Sequence, residues 1–85
     1  MKVGDFSRAR AYFEKAVELK PTDPYLRYNQ ACVEARSGNK DDAVDHLKTA
    51  CQLGLAPATF LQDPDLASLA GYAPFEELVE KKNCE

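Results

Sequence analysis

Three cysteines and one histidine are the residues of this sequence whose chemistry could be nucleophilic or metal-binding. Cys32, Cys51 and Cys84 stand at wide spacings, and His46 is the single imidazole. An odd number of thiols without a C-x-x-C pair makes neither a disulfide framework nor a zinc site, so reduced thiols are expected. A Cys–His pair needs the thiol within hydrogen-bond reach of the imidazole, and a third group to orient the base. Cys51 fails that test, because residues five apart lie on well-separated bearings of a helix. Spacing alone does not exclude Cys32 with His46, but no third group accompanies them. His46, between Asp45 and Leu47, is expected on the solvated outer flank of its helix. Glu76, Glu77 and Glu80 fall near the start and middle of a terminal helix, where carboxylates favour the dipole, and read as a solvated face rather than an acid–base pair. With no glycine-rich phosphate loop and no metal-ligand spacing, neither an enzyme, a cofactor nor a metal is expected.

Charge and hydropathy narrow the partners. The 85 residues carry 14 acidic and 11 basic side chains, a formal charge of -3, which offers no electrostatic footprint for nucleic acid. No apolar run approaches the roughly 20 residues that span a bilayer, and Met1-Lys2-Val3-Gly4-Asp5 lacks the apolar stretch of a signal peptide. A soluble cytoplasmic protein, with no nucleic-acid or membrane partner, is the expectation. A core of this size supplies modest net stability, so each helix needs a neighbour.

The punctuation places the elements. Asp5 is a candidate N-cap, after which Phe6, Ala9, Phe13, Ala16 and Val17 recur at helical spacing until Lys20-Pro21, predicting a first helix over about residues 6 to 20. Asp23 before Pro24 pairs a capping carboxylate with a proline at the first helical position, and opens a second helix that runs to Ser37. Gly38 and Asn39 tolerate a positive φ and suit the turn between antiparallel helices. A third helix over about 40 to 53 carries Ala43, Val44, Leu47, Ala50, Cys51 and Leu53, and Gly54 ends it. A short helical piece near Pro57 to Gln62, a turn of helix from Pro64 to Leu69 opened by Asp63, and a last helix from Pro74 to about Lys82 follow. Nothing alternates with period two, so no sheet is expected.

The chain also repeats itself. A shift of 34 residues lays Gly4 on Gly38, Ala9 on Ala43, Ala16 on Ala50 and Leu19 on Leu53, with Phe13 on Leu47 and Val17 on Cys51 between them. Glycine makes the turn, the alanines admit a close neighbouring helix, and the bulky residue between them fills the gap. A helix-turn-helix period of this length marks one repeat class. On Gly4 to Ala9, Phe13, Ala16 and Pro21 the sequence resembles the second helix of a tetratricopeptide repeat, and Asp23 to Leu53 resembles a complete following repeat, with small and large residues at Ala31, Gly38, Ala43, Leu47 and Ala50. The tail through Phe60, Asp63-Pro64-Asp65-Leu66, Leu69, Pro74, Phe75 and Leu78 resembles the segment that closes such arrays.

The resemblance implies an all-α fold: antiparallel helix-turn-helix repeats in a tetratricopeptide-like solenoid with a C-terminal capping helix. Residues 1–85 then form one domain, with the second helix of a partial repeat over 1–22, a complete repeat over 23–55, and a partial repeat with its cap over 56–85. It also implies a protein-interaction module that holds a peptide or helix of a partner protein in the groove lined by the first helix of the repeat. Tyr25, Tyr28, Asn29, Cys32 and Arg36 would face that groove. Tyrosine suits such a surface, being large, stiff and hydroxylated; the other reading is that Tyr25 and Tyr28 pack against the segment around Phe60. A family subset grips a terminal carboxylate with lysine, arginine and asparagine side chains. Asn29 fits one such position, but no lysine cluster accompanies it, and that clamp is not expected. The alternative to a binding module is a structural piece that terminates or self-associates a longer array.

One departure stands out. The family's large apolar stripe on the second helix is replaced by Arg27, Gln30 and Glu34. Either that helix is rotated so that Leu26, Val33 and the row Tyr25, Tyr28, Cys32, Ala35 pack instead, or the seam is partly solvated. At the chain's end, Leu66, Leu69, Phe75 and Leu78 are expected to fold over helix three and the Phe60 segment, with Glu76, Glu77, Glu80, Lys81 and Lys82 facing water. At its start, Phe6, Ala9, Phe13 and Ala16 form a stripe that an upstream repeat or a homodimer would cover.

Overall fold

The computed structural model describes residues 5–81, without the side chain of Lys81; the expectations placed on Gly4, Lys82 and Cys84 fall outside them. Among the described residues four α-helices and two 3-10 helices follow one another: α1 (Phe6–Leu19), α2 (Pro24–Ser37), α3 (Lys40–Gln52), the 3-10 helices Pro57–Gln62 and Pro64–Leu69, and α4 (Ala73–Lys81). Among the described residues there is no strand.

Local chemistry sets these boundaries. The Asp23 carboxylate accepts the Tyr25 N–H at 2.9 Å, closing the amino end of α2 with Pro24 at its first position. Gly38, at φ 91°, ends α2; its N–H reaches the Ala35 carbonyl while the Asn39 N–H reaches that of Glu34 at 2.8 Å, so two orphan carbonyls are satisfied in a two-residue turn. Only glycine takes that φ without strain. Asp63 repeats the capping logic, accepting the Asp65 N–H at 2.8 Å ahead of Pro64. The expected cap at Asp5 fails: its backbone is already near-helical and its side chain makes no capping hydrogen bond.

Among the described residues the most extensive contact is α2 against α3. The turn between them is too short for anything but antiparallel neighbours, and Ala31, Ala43 and Ala50, none with exposed surface, let the axes approach. Leu47, Phe60, Leu66, Leu69, Phe75 and Leu78 are buried around that pair, each side chain favouring the fold by about 1.5–3 kcal/mol before entropy is counted. The four closing residues are thus inside as expected, and Glu76, Glu77 and Glu80 are exposed. The path differs in one respect: α4 packs on the first 3-10 helix and on α3, whereas the second 3-10 helix lies mainly on α2.

Helix α1 is less covered. Phe6, Ala9, Phe13 and Ala16 are each half-buried, and no residue of α1 is fully buried. The large apolar side chains α1 leaves in water are Tyr12, 68% exposed, and Leu19, 75% exposed.

Candidate interaction surface

Helix α2 carries two different working sides. On the first, Tyr28, Cys32 and Arg36, spaced four apart and so stacked on one face, meet the two 3-10 helices. The Tyr28 ring stacks on Phe60, with centroids 5.7 Å apart, and its hydroxyl donates to Asp63 Oδ2. The Cys32 thiol points at the same oxygen, at 3.9 Å. Arg36 Nη1 pairs with Asp65 Oδ1 at 2.7 Å, and Ser68 Oγ donates to the Ala35 carbonyl at 3.1 Å. Of the five residues expected to line a groove, Tyr28, Cys32 and Arg36 are therefore brought together and engaged by the chain's own residues 60 to 65. Asn29 is half-buried, and Tyr25 is 61% exposed.

This environment silences the ionisable groups. Burial, and then the charges of Asp63 and Asp65, push the Cys32 thiol up to about 12. Burial, followed by the hydrogen bond to Asp63, pushes the Tyr28 phenol well above its ordinary value. Cys32 is a buried free thiol with no thiolate character at neutral pH. Cys51, by contrast, is disulfide-bonded, which corrects the expectation of reduced thiols throughout. The thiols then give no argument for a reducing compartment.

Cys32 Sγ and a carboxylate oxygen each of Asp63 and Asp65 lie within 4.8 Å of one another. No local spacing could reveal this group, because its members come from α2 and from a turn more than 30 residues later. The fold already satisfies it: Asp63 holds the Asp65 N–H with one oxygen and Tyr28 with the other, and Arg36 balances Asp65.

The second side of α2 settles the polar stripe. Gln30 and Glu34 are neither turned outward nor solvated; each is 8% exposed, in the seam facing α1. Arg10 of α1 grips Glu34 through both carboxylate oxygens, Nε to Oε2 at 2.8 Å and Nη2 to Oε1 at 3.0 Å. Asn39 Nδ2 adds a third bond at 2.8 Å. Burial alone would raise the Glu34 carboxyl, but the hydrogen bonds from Arg10 and Asn39, with the nearby positive charge, outweigh it and hold it below its ordinary value. Arg27 Nη1 reaches Gln30 at 3.4 Å, while its buried Nε has no partner.

His46 lies on this side too, half-buried in a cleft of about 200 Å³ with Arg10, Phe13, Gln30, Val33 and Glu34. The expected solvated flank is corrected: the ring is half-buried and shares this cleft with residues of α1. Burial, and next the charge of Arg27, lower its basicity. Cys32 is about 160° around α2 from Gln30 and Glu34, so the fold does not bring Cys32 and His46 together.

Among the described residues no helix is long and apolar enough to cross a membrane. No solved structure matches the chain. The sequence model of the tetratricopeptide repeat family matches residues 1–23, which take in α1 and the turn to α2. Such repeats are in general protein–protein interaction modules and typically non-catalytic scaffolds. That match, with the all-helical antiparallel packing that follows it, supports a likeness to the tetratricopeptide repeats.

Proposed function

We propose that the protein binds a peptide or helix of a partner protein along α2, on the side of Tyr25, Tyr28, Asn29, Cys32 and Arg36, and catalyses nothing. The observation that carries this reading is the chain's own segment from Phe60 to Asp65. An aromatic ring and two carboxylates already lie across Tyr28, Cys32 and Arg36, so the surface has the chemistry to hold a short acidic segment with an aromatic anchor. Displacing that segment would uncover Phe60 and Leu66, both fully buried, at a cost of about 3–6 kcal/mol. A partner therefore adds beside it, at Tyr25, one turn before Tyr28 on the same side of α2 and still exposed.

The test is a peptide-array screen followed by titration of the best binder. Tyr25→Ala should weaken binding at least about tenfold with the circular dichroism unchanged. A binder indifferent to Tyr25 defeats the reading.

A second reading is that this is the terminal piece of a longer helical stack. The burial of Leu66, Leu69, Phe75 and Leu78 favours it, because a stack must end in an element with one apolar and one polar side. Absence of any binder, together with a strong gain in stability on fusing further repeats before α1, would select it.

A further inference from the structure

The outer face of α1 takes no part in the contacts described above, and its composition is one-sided. At 100° per residue, Leu19 lies about 20° from Tyr12 around the helix, Arg8 about 40° and Lys15 about 60° on that same side, with Ala16 at about 40° and Lys20 at about 80° on the other. Tyr12 and Leu19 are the two most exposed large apolar side chains of the described residues. Arg8, Lys15 and Lys20 are all exposed, and none forms an ion pair among the described residues. The acidic residues of α1, Glu14 and Glu18, lie about 160° and 120° away. Asp5, just before the helix, is the single carboxylate near this bearing.

The ridge borders a shallow groove of about 210 Å³ against the start of α2, lined by Tyr12, Ala16, Leu19, Lys20, Asp23 and Leu26. Asp23, the one carboxylate of this lining, accepts the Tyr25 N–H and caps α2 from the far wall of the groove. Tyr12 is held in position by Phe13, whose ring meets it edge-on at 5.2 Å. A chain of net charge -3 thus presents an apolar ridge between cations on this one helix face.

We propose that the outer face of α1 docks an amphipathic helix of a partner protein whose apolar stripe is flanked by acidic residues. The apolar ridge selects a helix stripe with anchors at i, i+3 or i+4 and i+7, because Tyr12 and Leu19 are themselves seven apart. The flanking cations select the sign of its charge and steer its approach. At 14 residues, α1 is about 21 Å long, enough to accompany four turns of a partner. A second copy of this chain fits poorly, because the facing ridge would bring Arg8, Lys15 and Lys20 against their own copies. The proposal is independent of the surface on α2.

The experiment uses the full chain and a synthetic helical peptide with leucines at i, i+3, i+4 and i+7 and glutamates beside them, titrated by fluorescence anisotropy. Saturable binding that weakens at least about tenfold in Leu19→Ser, falls again in the double variant Lys15→Glu with Lys20→Glu, and is unaffected by Tyr25→Ala is the expected result. Leu19 is exposed, so its replacement should leave the fold intact, and circular dichroism of each variant checks this. No binding, or equal binding of a scrambled peptide of the same composition, overturns the proposal. Sedimentation showing that the free chain dimerises through Tyr12 and Leu19 overturns it in favour of a second copy.

Discussion

The Asp63 carboxylate joins two structures at once: one oxygen accepts the Asp65 N–H that starts the second 3-10 helix, and the other accepts the Tyr28 hydroxyl from α2. A turn that would otherwise be positioned only by its apolar residues is thereby fixed in register against the helix it covers. Asp63→Ala should remove both the cap and the cross-bond, costing about 1–3 kcal/mol. Tyr28→Phe, which keeps the stack on Phe60, should cost about 1 kcal/mol. Urea titration of the single and double variants checks the coupling: additive losses would mean that the Tyr28 hydroxyl and the Asp63 carboxylate do not interact.

Acid should unfold the seam between α1 and α2 in two stages. His46 is less basic in the folded chain than its ordinary 6.5, so protons bind the unfolded chain first, and stability falls as pH drops below about 6.5 until the folded imidazole also titrates. Glu34 is more acidic than its ordinary 4.5; its contribution is complete above that value and is lost as pH falls through the lower folded one. The urea midpoint measured against pH should therefore decline in two limbs, and His46→Asn should abolish the upper limb alone. A midpoint flat between pH 7 and 5 would contradict the burial of His46.

Removing Arg10 should matter more than its place on a half-covered helix suggests. Arg10→Ala leaves the Glu34 carboxylate buried with only the neutral donors Asn39 and Ser37, and a buried charge without its counter-ion is worse than none. Thermal melts should rank Arg10→Ala well below wild type, and Arg8→Ala, whose side chain is exposed and makes no ion pair among the described residues, close to it. The double variant Arg10→Ala with Glu34→Leu should recover part of the loss. Equal melts for Arg8→Ala and Arg10→Ala would sink the assignment of Glu34 to a buried ion pair.

What was legible in the sequence is what local chemistry encodes. Asp23-Pro24, Gly38 and Asp63-Pro64 each act within a few residues of themselves, and the alanines at 31, 43 and 50 mark the helix-helix contact that they make. The stripe Arg27, Gln30, Glu34 was visible as an anomaly, but not its resolution. The counter-ion of Glu34 is Arg10, 24 residues away on a different helix, and no periodicity links them. The same holds for Tyr28 with Asp63 and Arg36 with Asp65: each pair depends on where the chain returns after Gly54, which only the packing of Phe60 and Leu66 decides. His46 was misplaced for a related reason, since its own helix gives no sign that it shares a cleft with residues of α1.

Cys32 offers a probe of that packing that needs no partner. Its thiol, pushed up to about 12 by burial and by the two aspartates, should react with iodoacetamide far more slowly than a thiol of ordinary acidity at pH 8, and only as fast as the second 3-10 helix lifts from α2. Because the thiolate is the nucleophile, the rate should rise with pH well past 9 without reaching a plateau. Asp63→Asn should speed labelling by removing a negative charge and loosening the turn, whereas Phe75→Ala should speed it only through global destabilisation, costing about 3–5 kcal/mol as a large buried side chain is lost. Denaturant separates the two: labelling through local opening depends weakly on urea, and labelling through unfolding depends steeply. Rapid labelling of the wild type, complete within seconds at neutral pH and mapped to Cys32 by peptide mass, would show that the segment from Phe60 to Leu69 does not rest on α2.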